Sequence, residues 1–252
     1  MAEFDRQGYA RPATGARADA HAIDQGLRAY MLRVYNYMAA GIAITGVVAY
    51  VTFMMAVVQT PAGAQLTEFG NMIFNSPLKW VVMLSPLGMV FFLSARIQKM
   101  SVGGAQMAFW AFAALMGLSL ASIFMVYAGG SIARVFFITS AAFGGLSLYG
   151  YTTKKDLSGW GSFLIMGLIG IIIASLVNIF LASSALQFAV SVIGVLVFAG
   201  LTAYDTQRIK EMYYVGDGAA TMGKKAIMGA LSLYLDFINM FIMLLSLFGS
   251  RE

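Results

Sequence analysis

Seven stretches of this chain are apolar for about twenty residues each, at about 37–58, 77–97, 106–127, 132–151, 160–181, 186–209 and 227–248. A helix rises 1.5 Å per residue, and the hydrocarbon core of a bilayer is about 30 Å thick, so a spanning helix needs about 20 such residues. Inside lipid every backbone N–H and C=O must find its partner within the protein, which a continuous apolar stretch does as a helix. The expected fold class is therefore an all-α integral membrane protein with seven transmembrane helices in the lipid bilayer. With 60% hydrophobic and 11% charged residues, the composition lies far from that of a soluble domain. The second stretch carries Pro86 and Gly88 in its middle and Arg96 at its end, so a kink is expected there.

Lysine and arginine set the orientation. With the N-terminus inside, the cytosolic side holds Arg6, Arg11, Arg17, Arg28, Arg33, Arg96, Lys99, Lys154, Lys155, Arg208, Lys210, Lys224 and Lys225, and the far side only Lys79, Arg134 and Arg251. Thirteen against three predicts an N-terminus in the cytosol and an extracytoplasmic C-terminus, and an even number of spans would destroy the alternation. The positive net charge thus serves topology and does not point to nucleic acid. Residues 1–25 read as a polar cytosolic tail without the apolar core of a signal peptide, and residues 26–252 as one transmembrane domain. The pattern Ile23, Leu27, Tyr30, Met31, Val34, Tyr35, with Arg28 and Arg33 between, has helical period. It fits a helix lying on the membrane surface or a helical lead-in to the first span. The segment 59–76 is the longest outer connection, and its Glu68 reads as a solvated loop acid.

Only two carboxylates interrupt the apolar stretches, Asp205 in the sixth and Asp236 in the seventh. An ionisable group in a bilayer costs about 3 kcal/mol to insert, and so points to function. Asp205 lies about 5 Å before the basic end at Arg208 and Lys210, and Asp236 about 10 Å along the returning helix from Gly229. Adjacent antiparallel helices bring two such groups together. Repulsion and desolvation then disfavour the doubly ionised form, so the pair shares a proton and senses pH. It also attracts a divalent cation, but calcium takes six to eight oxygens and two aspartates supply only some of them, so binding is weak and suits permeation better than storage. Arg96, near the depth of Asp205, either snorkels to the interface or pairs with an acid as a latch.

Enzyme classes fare poorly. The chain has no cysteine, and its single histidine, His21, is in the tail, which leaves no nucleophile and base pair for an intramembrane hydrolase. A retinal protein needs a lysine in the last span, and Lys224 and Lys225 precede it. The acids lack the glycine-containing surroundings of aspartyl intramembrane proteases. The 18 methionines read as soft core filler, and no cofactor is expected.

Tyr204-Asp205-Thr206-Gln207, Leu233-Tyr234-Leu235-Asp236-Phe237-Ile238-Asn239, the stretch 145–158 from Gly145-Leu146-Ser147-Leu148-Tyr149-Gly150-Tyr151 through Lys154-Lys155-Asp156, and Ala29-Tyr30-Met31-Leu32-Arg33-Val34-Tyr35 together resemble the Bax-inhibitor-1 family, also called the transmembrane Bax inhibitor motif family. The likeness covers nearly all of the chain after the tail. It implies seven helices with the last helix central and wrapped by the other six, and a pH-sensitive calcium leak gated by two aspartates that map onto Asp205 and Asp236. It also implies an arginine of the second span as latch, which matches Arg96. The connection 211–226 is longer than the family's usual link. A cation/proton exchanger uses similar residues. In a further class, suggested by relatives, the chain is a non-transporting regulator that binds a membrane protease or a cell-death or stress partner through the tail and the 211–226 link. Short outer loops favour a bacterial inner membrane.

Overall fold

A computed structural model describes residues 14–61 and 63–251, with side chains from residue 23 onward. The tail before residue 14, with Arg6 and Arg11, lies outside the described residues, as do the side chains of Arg17 and His21. Helix α1 (Thr14–Ala56) leads into a hairpin of β1 (Val57–Thr60) and β2 (Gly63–Leu66), followed by the short α2 (Glu68–Phe74). Then come α3 (Leu78–Arg96), α4 (Val102–Leu120), α5 (Gly129–Thr152), α6 (Ser158–Leu181), α7 (Ser184–Glu211) and α8 (Ala219–Phe248), with 3-10 turns at Ile97–Lys99 and Ala121–Met125. Seven of these segments are long and apolar enough to cross a membrane, from Ile23–Ala56 to Ala219–Phe248. The protein is thus an all-α integral membrane protein with seven candidate spans.

Two expectations change. The segment 59–76, expected as an open loop, is built: β1 and β2 pair antiparallel from Val57 with Leu66 to Thr60 with Gly63. Gly63 turns the chain at φ +109°, a conformation that favours glycine. Thr67 then caps α2 by accepting from the Gly70 N–H at 3.0 Å. A side chain at Gly70 would run into the Ala56 carbonyl, so the cap is seated directly on the end of α1. The 211–226 connection is in fact only residues 212–218, because α8 starts at Ala219. Lys224 and Lys225 are no obstacle to an early start, since they lie on a helical end beyond the apolar stretch and find partners there.

The amphipathic lead-in is the first turns of α1 itself. Tyr30, Met31 and Val34 are buried in the bundle while Arg28 and Arg33 stay exposed. The helix passes the 25/26 boundary unbroken. Pro86 lies buried inside α3 without ending it. Helix α8 is the most enclosed span; its main neighbours are α1, α4, α5 and α7, while α3 packs on α4 and α6 on α7. Small residues permit this closeness, as at Gly150, where a Cβ would stand 2.2 Å from the Ala203 carbonyl of α7.

Candidate functional site

The α7–α8 seam fixes the depth of the two acids. A Cβ on Gly229 would meet Ile209, and one on Gly194 would meet Met243. Because the helices are antiparallel, these two crossings set Asp205 level with Leu233 and Asp236 about one turn deeper, roughly 5 Å along the axis. Asp236 is buried at 5% exposure, and its Oδ2 has no hydrogen-bond partner among the described residues. Asp205 is half-buried. The charge of Asp205 acts on Asp236, and that of Arg208, exposed one turn further along α7, acts on Asp205. The structure thus brings two carboxyl groups within electrostatic reach of each other across the α7–α8 seam, with Asp236 the one withdrawn from water.

Arg96 is not part of this arrangement. It is exposed at the end of α3, and the single ion pair among the described residues is Lys225 with Asp217, at 2.5 Å. No group of three or more His, Cys, Asp or Glu side chains gathers among the described residues.

Around the acids run two hydroxyl networks. In one, Tyr35 Oη is 2.6 Å from Ser147 Oγ, which is 3.0 Å from Thr206 Oγ1. Thr206 spends its proton on the Thr202 carbonyl at 2.7 Å. A hydroxyl has only one proton to give, so Ser147 must donate to Thr206 and Tyr35 to Ser147. This one-way chain links α1, α5 and α7 and ends beside Asp205. In the other, Thr45 donates to the Ala113 carbonyl at 2.8 Å, so Tyr234 donates to Thr45 at 2.6 Å. The Tyr234 ring, fully buried, stands edge-on to Phe112 and Phe109. Tyr204, the tyrosine before the other acid, lies instead over Gly161 of α6. Ser147, Thr206 and Tyr35 all sit in recognisable sequence motifs, yet nothing in the sequence links them. Serine and threonine in helices often bond only to their own preceding turn, so a cross-helix chain leaves no signature in spacing.

The basic end is tied by polar side chains. Gln207 accepts from the Leu157 N–H and donates to the Lys155 carbonyl, both at 2.8 Å, which pins the α5–α6 loop to α7. Lys210 donates to the Tyr151 carbonyl at 2.8 Å and lies 5.4 Å from the centre of its ring. Lys224 donates to the Gln98 carbonyl at 2.8 Å. In the loop, hydrogen bonds from Ser158 hold the Asp156 carboxyl below the ordinary range.

A family model described as "Inhibitor of apoptosis-promoting Bax1" matches residues 27–252. An uncharacterized protein of Caulobacter vibrioides is 47% identical over the whole of both chains. Another, from Rickettsia prowazekii, is 46% identical over 91% of this chain and 92% of its own. The inner membrane protein YbhL of Escherichia coli is 49% identical over 90% of this chain and 94% of its own. With its seven spans and a match over nearly its whole length, this chain belongs to the Bax inhibitor-1 family of membrane proteins.

Proposed function

We propose that the chain is a pH-sensitive calcium leak in a bacterial inner membrane, gated by the Asp205–Asp236 pair, with its N-terminus and basic end in the cytosol and its C-terminus outside. The observation that carries this reading is the buried Asp236 carboxylate, whose Oδ2 has no hydrogen-bond partner among the described residues while the charge of Asp205 acts on it from the next helix. Two negative charges so placed are costly, and a proton or a divalent cation between them relieves the cost. The two carboxylates supply only part of the six to eight oxygens that calcium takes. Water and backbone carbonyls complete the shell, so the ion is held weakly and passes on. Arg96, exposed in this arrangement, acts as a latch only if the end of α3 turns toward α7.

The test is calcium flux into proteoliposomes across a pH series for the native chain, Asp205→Asn and Asp236→Asn. The native chain shows a leak that titrates with pH, and the titration shifts or vanishes when either acid is lost. A leak with an unchanged pH profile in both variants overturns the gate. Obligatory counter-movement of protons turns the reading into an exchanger. Absence of flux, together with a partner interaction altered by Asp205→Asn, makes the chain a non-transporting regulator.

A further inference from the structure

Helices α1 and α5 face each other across a groove on the lipid-facing side of the bundle. Its half at the basic end is a cavity of about 610 Å³ with a nearly unbroken apolar lining. Met31, Leu32, Met38 and Ala39 form one wall, and Phe143 and Leu148 are on the other. Leu32 and Leu148 are more than half exposed, so the groove opens sideways to lipid. The two walls are joined at depth by the Tyr35–Ser147 hydrogen bond. From Arg28 to Ala39 the wall is about 16 Å long, close to half the thickness of a bilayer core of about 30 Å. The groove therefore has the length of an acyl chain in one leaflet.

Its mouth is charged. Arg28 lines the cavity there, exposed and paired with no carboxylate among the described residues. Lys210 lies over the ring of Tyr151, the last groove residue of α5. Lys154 stands three residues further along the chain, while Lys155 lines a separate cavity between α5, α6 and α7. The acids nearby are Asp24, one turn before Arg28 on α1, Asp217, whose charge reaches Tyr30 of α1 but which is paired with Lys225, and Asp156, which is engaged by Ser158. A second cavity of about 360 Å³ further along α1 and α5, walled also by α8 and the Ala121–Met125 turn, has no charged residue in its lining.

We propose that the inner half of the α1–α5 groove is a binding site for one anionic phospholipid of the adjoining leaflet, with its phosphate against Arg28 and one chain between Met31, Met38, Phe143 and Leu148. The site is independent of the calcium reading. Its inner wall is continuous with the Tyr35–Ser147–Thr206 chain, which ties α1 and α5 to α7 beside Asp205.

The test uses purified full-length protein in detergent, with phosphatidylglycerol and phosphatidylcholine of identical chains added in turn and retained lipid counted by native mass spectrometry. Phosphatidylglycerol binds at one site about five-fold or more preferentially, the effect of one basic group on an anionic lipid. Arg28→Gln removes the preference and keeps the weaker, chain-driven retention. Gly144→Leu plugs the groove, because a Cβ on Gly144 points into open space among the lining residues, and it reduces retention of both lipids. Gly145→Leu, on the same helix with equally open space but outside the lining, leaves retention unchanged. Equal retention of the two lipids by the native chain, or equal effects of Gly144→Leu and Gly145→Leu, overturns the site. A change of oligomeric state in Gly144→Leu without lost lipid makes the groove a contact between copies. Full competition by soluble glycerol phosphate makes it a simple anion site; either result sinks the proposal.

Discussion

Helices α6 and α8 reverse the rule learned from soluble proteins. Of the seven spans α6 is the most apolar, yet only 11% of its apolar stretch is buried; α8 is less apolar, and 56% of its apolar stretch is buried. Lipid tails are as apolar as leucine, so hydrophobicity holds a helix in the membrane without drawing it into the bundle. What draws α8 inward is close fit and polar need. Gly223 and Gly229 seat neighbouring side chains from Val102 and Ile209, and Tyr234 and Asp236 would be costly against lipid. Helix α6 turns Ile172, Ile173 and Phe180 outward and meets α7 through Gly161 and Gly167, under Tyr204 and Val197.

Glycines test this contrast most sharply. Gly150→Leu drives a side chain into the Ala203 backbone and forces α5 off α7, at about 3 kcal/mol or more. Gly170→Leu on α6 enters open space and gains helix propensity, for a stability equal to the native chain or up to about 1 kcal/mol greater. Unfolding in graded denaturing detergent measures both, and equal losses would break the comparison. Next in size is Phe112→Ala. Its ring is wholly buried 5.1 Å from that of Tyr234, and its loss costs about 3 kcal/mol in the same assay. Phe163→Ala on the lipid face of α6, where the ring is 62% exposed, stays within about 0.5 kcal/mol. Tyr234→Phe is milder, about 1 kcal/mol, because Thr45 keeps its bond to Ala113 and loses only a donor.

The seven spans were legible because a bilayer imposes one length and one composition on every helix that crosses it. Asp205 and Asp236 stood out for the same reason, as the two charges in the wrong solvent. Legibility fails where a residue's surroundings change from lipid to water. Lys224 and Lys225 suggested a helix start near Ile227, yet outside the membrane such charges are ordinary helix formers, and Asp217 and the Gln98 carbonyl receive them. The hairpin of β1 and β2 carried a turn signal in Pro61 and Gly63, but its strands of four residues are too short for their alternation to stand out. The packing of α6 and α8 is invisible to hydropathy, since what separates them is which glycines face a neighbour.

The smallest effect belongs to the loop between α5 and α6, where the comparison passes from lipid to water. Asp156 accepts from the Ser158 N–H at 2.8 Å, and the Ser158 side chain and backbone together hold its carboxyl below the ordinary value of 3.8. A carboxyl lowered by folding contributes stability that is fully present above its unfolded value and is lost as the pH falls through the folded one. That contribution therefore fades below about pH 4 and is intact at pH 7. Asp156→Asn keeps an oxygen for the Ser158 N–H but cannot titrate, so melting curves of the variant and the native chain are expected to converge below about pH 4, with the variant slightly lower above it. For the calcium leak proposed above, Asp156→Asn is expected to leave the pH profile unchanged, because that proposal puts the gate at Asp205 and Asp236, away from this loop. A leak profile that moved with Asp156 would count against the gate proposed at the α7–α8 seam.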